Sequence, residues 1–230
     1  MATVILVRHG RTTANATGLL AGRAPGVTLD QTGLEQAART AQRLAAVPLA
    51  AVVSSPLERC RQTARFILEQ QATMPAAPLD ESLTECDYGQ WQGRSLSELA
   101  SEPLWPVVQS QPSAVVFPGG ESMAGMQSRA VAAIRGHDAA FAAQHGPGTV
   151  WAAVSHGDVI KSILADALGM HLDFFQRINV GPASVSIISY GPGRPTVHAL
   201  NTDAGDLSWL SGGVSTGDAP VGGGAGQGSP

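Results

Sequence analysis

Three short, unbroken apolar runs constrain this chain most: residues 3–7 (Thr-Val-Ile-Leu-Val), 50–53 (Ala-Ala-Val-Val) and 150–154 (Val-Trp-Ala-Ala-Val). Continuous apolar runs of this length, rich in β-branched residues, are the pattern of strands buried on both faces. Each run ends at or near a polar cluster: Arg8-His9-Gly10, Ser54-Ser55-Pro56 and Ser155-His156-Gly157. Helical spacing follows. In residues 31–46, Leu34, Ala37, Ala38, Ala41 and Leu44 share one face, Glu35, Arg39 and Arg43 lie off it, and Pro48 stops it. Residues 57–71, 121–145 and 158–168 also read as helices, the last two ended by Gly146-Pro147 and Gly169. Residues 77–83 are expected to form a further short strand. Residues 184–189 and 195–200, joined by Gly-Pro-Gly, are expected to form a hairpin at the sheet edge.

Strands that alternate with helices predict an α/β fold: a three-layer sandwich with a mostly parallel, doubly wound sheet and an antiparallel edge hairpin. A chain of 230 residues suits one such domain, expected over residues 1–210. Residues 211–230 are Gly-rich with almost no large apolar side chain. They bury too little to offset their ordering entropy and are expected to be a disordered tail.

The carboxyl ends of parallel strands share one edge, and ligands bind there. That topology gathers Arg8 and His9 after the first strand, Arg59 one turn into the next helix, Glu85 beyond residues 77–83, and His156 after the strand at 150–154. Two arginines and helix N-termini suit a phosphate dianion. Histidine can attack phosphorus. A carboxyl group that keeps its proton can serve as general acid.

Composition excludes other chemistries. The net charge of −4 argues against a nucleic-acid partner. Positive charge is almost all arginine, and Lys161 is the only lysine. Cys60 and Cys86 make no disulfide framework, so a reducing compartment is the default. Six residues after them stand Phe66 and Gln92, so neither has the arginine a cysteine phosphatase needs. No Gly-rich loop ends in Lys-Ser or Lys-Thr, and no cluster has metal-ligand spacing. No apolar stretch reaches membrane-spanning length. The expectation is a cytoplasmic protein with no metal, cofactor or membrane partner. The oligomeric state stays open, a homo-oligomer included.

Five segments resemble the histidine phosphatase superfamily, the group that includes cofactor-dependent phosphoglycerate mutases. Arg8-His9-Gly10-Arg11-Thr12-Thr13-Ala14-Asn15 resembles its opening motif, and Ser54-Ser55-Pro56-Leu57-Glu58-Arg59-Cys60-Arg61-Gln62-Thr63-Ala64 its second. The stretch from Leu83 to Gly93 resembles the segment with the proton donor, Pro118-Gly119-Gly120-Glu121-Ser122 the start of the long helix, and Val154-Ser155-His156-Gly157-Asp158 the last motif. The resemblance covers residues 3–200. It implies a metal-independent enzyme acting on a small phosphorylated substrate. His9 would become phosphohistidine. Arg8, Asn15, Arg59 and His156, with the N–H groups of Gly10 and Gly157, would hold the phosphoryl oxygens. Glu85 would protonate the leaving alkoxide and then activate water.

Within that family the residues favour a phosphatase of small organic monoesters over a mutase. The mutases carry Trp where this chain has Ala14, and carry lysine and paired arginines after the proton-donor segment where this chain has only Arg94. A non-catalytic phosphate-binding module is the remaining alternative. Leu104, Trp105 and Pro106 are expected to form an apolar wall over the site.

Overall fold

The computed structural model describes residues 2–191, 193–203 and 222. The five strands are β1 (Thr3–Arg8), β2 (Val52–Ser54), β3 (Val150–Ser155), β4 (Val185–Ser189) and β5 (Thr196–Thr202). The helices are α1 (Thr13–Ala16), α2 (Gln31–Leu44), α3 (Glu58–Glu69), α4 (Leu96–Leu99), α5 (Trp105–Ser110), α6 (Met123–His145) and α7 (Gly157–Ala167). The strand order in space is β2-β3-β1-β4-β5. The pairs β2–β3 and β3–β1 are parallel, whereas β1–β4 and β4–β5 are antiparallel. The sheet is therefore mixed, with the three apolar runs forming its parallel half and the expected hairpin closing one edge.

Alternation along the strands divides two cores. Val4 and Leu6 of β1, Trp151 and Ala153 of β3, and Ile188 of β4 face one cluster, shared with Met126, Ile134, Ile160 and Ile163 from α6 and α7. Ile5, Val7, Ala152 and Val154 face the other, shared with Ala41, Leu44, Ala64 and Ile67 from α2 and α3. A sheet covered on both faces explains why β1 and β3 read as unbroken apolar runs. Each large side chain fully buried this way stabilises the fold by about 1.5–3 kcal/mol.

Two helix starts are set by their caps. Asp30 accepts from the Gly33 N–H at 2.7 Å and begins α2, and Ser122 accepts from the Gly125 N–H at 2.9 Å and begins α6.

The expected strand over residues 77–83 is instead a broken partner of β2. The Val52 and Ser54 N–H groups donate to the carbonyls of Ala76 and Pro78, and only two isolated parallel bridges form. Pro78 has no N–H to extend the ladder. A 3₁₀ turn at Glu81–Leu83, capped by Asp80, then leads the chain away. The reading of residues 211–230 as a tail lies outside the described residues except at Gly222. Among the described residues, no helix is long and apolar enough to cross a membrane.

Candidate active site

Parallel register brings the strand ends together. Arg8 pairs with Ser155, the His9 N–H donates to the Ser155 carbonyl at 3.0 Å, and the Ser55 N–H donates to the Val154 carbonyl at 2.9 Å. His156 then caps α7, and Arg59 occupies the first turn of α3. All five of Arg8, His9, Arg59, Glu85 and His156 are buried, and His9, Arg59 and Glu85 line one pocket.

Hydrogen bonds fix the tautomers of both histidines. His9 Nδ1 lies 2.7 Å from the Gly10 carbonyl oxygen. A carbonyl can only accept, so Nδ1 carries the proton and Nε2 carries the lone pair. That lone pair accepts from Arg59 Nε at 3.2 Å. Arg59 Nη2 donates to His156 Nδ1 at 3.1 Å and to the Gly22 carbonyl at 2.8 Å. His156 Nε2 therefore donates to Ser55 Oγ at 2.8 Å. The two rings meet edge to face, 5.2 Å apart. Burial, then the Arg59 charge, holds both imidazoles well below the usual histidine range, so both are neutral at neutral pH. A neutral His9 with an outward lone pair is the form that can act as a nucleophile.

Glu85 is the complementary case. Burial, then the nearby Asp158 charge, pushes its carboxyl up to about 7. It keeps a proton near neutrality and can deliver it. Its Oε1 accepts from the Cys86 N–H at 3.0 Å, and its backbone carbonyl is held by Arg23 Nε at 2.8 Å and Arg129 Nη2 at 3.2 Å. Glu121 accepts from both of those arginines and from the Asp87 N–H at 2.9 Å. Burial lowers Arg8 to about 10, which leaves it charged at neutral pH. Arg8 Nη1 donates to the Val180 carbonyl at 2.8 Å.

The remaining expected site residues take these places. Gly10 donates its N–H to Thr63 Oγ1 at 3.1 Å, so that N–H serves to hold the loop. Asn15 lines the pocket, but its Oδ1 accepts from the Thr12 N–H and hydroxyl as part of the cap of α1. Gly157 is buried at the first position of α7. Gly222 also lines the pocket. Its N–H donates to Asp158 Oδ2 at 2.9 Å, and its carbonyl accepts from Arg8 Nη2 at 3.4 Å.

The expected apolar wall of Leu104, Trp105 and Pro106 stands elsewhere. Trp105 stacks on Trp91 and Leu104 packs on the larger core. Pro106 sits in the first turn of α5, where its missing N–H costs nothing. Leu19, Leu20 and Leu96 are the pocket's apolar side.

Sequence reasoning missed Thr63, Ser55 and Arg129. The first two lie inside the second motif and are one helical turn or less from Arg59. Arg129 lies in α6 with no local signal. Cys60 is buried with its thiol pushed up to about 12 by burial, and it packs 3.4 Å from His156 Nε2 as an inert neighbour. Among the described residues, no three His, Cys, Asp or Glu side chains group as a metal site.

The sequence pattern of the histidine phosphatase superfamily (branch 1) matches residues 4–203. The bifunctional protein Rv2228c of Mycobacterium tuberculosis is 32% identical over 202 residues, 86% of this chain and 53% of that protein. This chain thus spans about half the length of that relative. Phosphoserine phosphatase 1 of Hydrogenobacter thermophilus is 30% identical over 204 residues, 87% of this chain and 92% of that one. The alpha-ribazole phosphatase of Shigella flexneri superposes with a TM-score of 0.75 at 26% identity, covering 89% of this chain and 98% of that one. With the family pattern running through both halves of the sheet and all five motif segments, this chain is a member of the histidine phosphatase superfamily, an enzyme family of phosphatases and phosphomutases.

Proposed function

We propose that the protein is a metal-independent phosphatase that hydrolyses small organic phosphate monoesters through a phosphohistidine. The observation that carries this reading is the orientation of His9: Nδ1 is tied to the Gly10 carbonyl, and Nε2 presents its lone pair beside the Arg59 guanidinium. In the first step Nε2 attacks phosphorus, the P–O bond to the alcohol breaks, and Glu85 gives its proton to the departing oxygen. Arg8, Arg59 and His156 stabilise charge on the equatorial oxygens, with Asn15 and the Gly157 N–H at the margin. In the second step the Glu85 carboxylate takes a proton from water, which attacks phosphorus and releases His9 and inorganic phosphate. Relatives named as phosphoserine and alpha-ribazole phosphatases support a small monoester as substrate.

Phosphoenzyme trapping tests this. Protein quenched during turnover of a labelled monoester should hold label that is lost in acid and kept in alkali. Alkali-labile or absent label overturns the intermediate.

The mutase alternative needs spare cations for a second anionic group; Arg59 is the arginine that lines the pocket, and the arginines considered for that task are already engaged. Arg11 pairs with Asp30 at 2.8 Å, Arg23 with Glu121 at 2.9 Å, and Arg94 with Glu102 at 2.6 Å. With 3-phosphoglycerate and catalytic 2,3-bisphosphoglycerate, free phosphate should outrun 2-phosphoglycerate. The reverse would make the enzyme a mutase.

A further inference from the structure

The only lysine of this arginine-rich chain is wholly buried. Lys161 Nζ lies 2.7 Å from Asp158 Oδ1, one turn earlier on α7, and both side chains are fully excluded from water. Lys161 Nζ also donates to Gln176 Oε1 at 2.7 Å. The Phe175 ring covers the ammonium at 4.8 Å. Asp158 Oδ2 accepts from the Tyr88 hydroxyl at 2.8 Å. Tyr88 is itself fully buried, three residues beyond Glu85. A buried ion pair is a poor way to add stability, since apolar residues of similar size often serve as well. Its place beside the pocket, where Asp158 Oδ2 also accepts from the N–H of the lining residue Gly222, calls for another role.

We propose that Asp158, held in place by Lys161 and joined to the proton-donor loop through Tyr88, is a positioning residue for Glu85. The inference rests on Glu85 being the general acid. A fixed negative charge beside a buried carboxyl disfavours its ionisation. The Tyr88 bond ties the loop to the start of α7, which His156 immediately precedes. One side chain thus links the acid to the strand end that carries the second histidine. The charged and titratable groups around Glu85 include Arg8 from β1, His9 after it, Arg59 from α3, Asp158 from α7 with its partner Lys161, Tyr88 on the same loop, and Arg23 and Arg129 at its carbonyl. The cations favour a carboxylate. Asp158 is the anion that opposes them, and burial acts in the same direction. Cys60 and Cys86 stay protonated, because burial pushes both thiols up.

The test uses pH profiles of kcat/KM on the full chain, with p-nitrophenyl phosphate and with an alkyl phosphate. Asp158→Asn alone would leave a buried ammonium without its partner and is apt to unfold. The charge-neutral Asp158→Asn/Lys161→Met double variant and Tyr88→Phe avoid that problem. The double variant should move the basic limb for the alkyl phosphate to lower pH by about one unit. Tyr88→Phe should lower kcat for the alkyl phosphate about tenfold, leave the aryl ester within about threefold, and change KM little, as expected when proton delivery is impaired. Glu85→Gln is the reference. If it removes the basic limb while the double variant leaves the limb in place, the inference fails alone. If Glu85→Gln keeps the limb, the Glu85 assignment fails and takes the inference with it. Equal losses for both esters in Tyr88→Phe would make the network merely structural.

Discussion

Arg59 and four arginines outside the pocket lining put the same side chain to different uses. Arg59 gives its hydrogen bonds to neutral groups: two imidazole nitrogens and the Gly22 carbonyl. Arg11, Arg23, Arg94 and Arg129 are each held by a carboxylate, and Arg23 and Arg129 also clamp the Glu85 backbone. A guanidinium among neutral acceptors keeps its charge for an incoming dianion. One already against a carboxylate stiffens a loop and offers little to a ligand. The difference concentrates the positive charge that faces the pocket at Arg59.

The comparison breaks most visibly at its centre. His9→Ala should abolish turnover and phosphoenzyme together, and a variant with near-normal turnover would remove the nucleophile from this account. Glu85→Gln should slow alkyl phosphates by about 10²–10⁴ and aryl phosphates much less. In the wild type, alkyl phosphate hydrolysis should fall as pH rises through about 7, because the raised Glu85 carboxyl loses the proton it must deliver. A flat profile to pH 9 would contradict this. Arg59→Lys keeps a positive charge but cannot bridge both histidines, so kcat should drop about 10²–10³. A change of less than threefold would show that charge alone suffices. Arg94→Ala should leave kcat/KM within about twofold and stability within about 1 kcal/mol, because its pair with Glu102 is partly exposed. A tenfold rise in KM would mean that Arg94 does bind substrate.

The parallel half of the sheet was legible because β1 and β3 are covered on both faces, which writes unbroken apolar runs into the sequence. The edge hairpin was legible from the Gly-Pro-Gly segment in the sequence between its two strands. Residues 77–83 misled because a β-like composition does not reveal that Pro78 interrupts the ladder. At the site, His9, Arg59 and His156 were legible as residues following strands or opening helices, whereas Glu85 was reached through a strand at 77–83 that does not form. The roles of Thr63 and Arg129 were not, since each depends on a contact between segments far apart in the chain. Trp105 was misplaced for a related reason: an apolar cluster in a connecting segment says that it will be covered, not by what. Tyr88 and Asp158 lie inside the proton-donor segment and the last motif, yet only their mutual hydrogen bond at 2.8 Å gives them a shared meaning.

The loop that carries His9 touches the start of α2 without any side chain between them. A Cβ added at Gly10 would fall on the Gly33 carbonyl oxygen, and one added at Gly33 would fall on the Arg11 carbonyl oxygen. Two backbones thus act as a jig, and the imidazole inherits its aim from atoms that no ligand touches. An engineer reshaping this pocket for a larger alcohol could vary the exposed Leu19 and still lose every active clone to a single methyl group at Gly33.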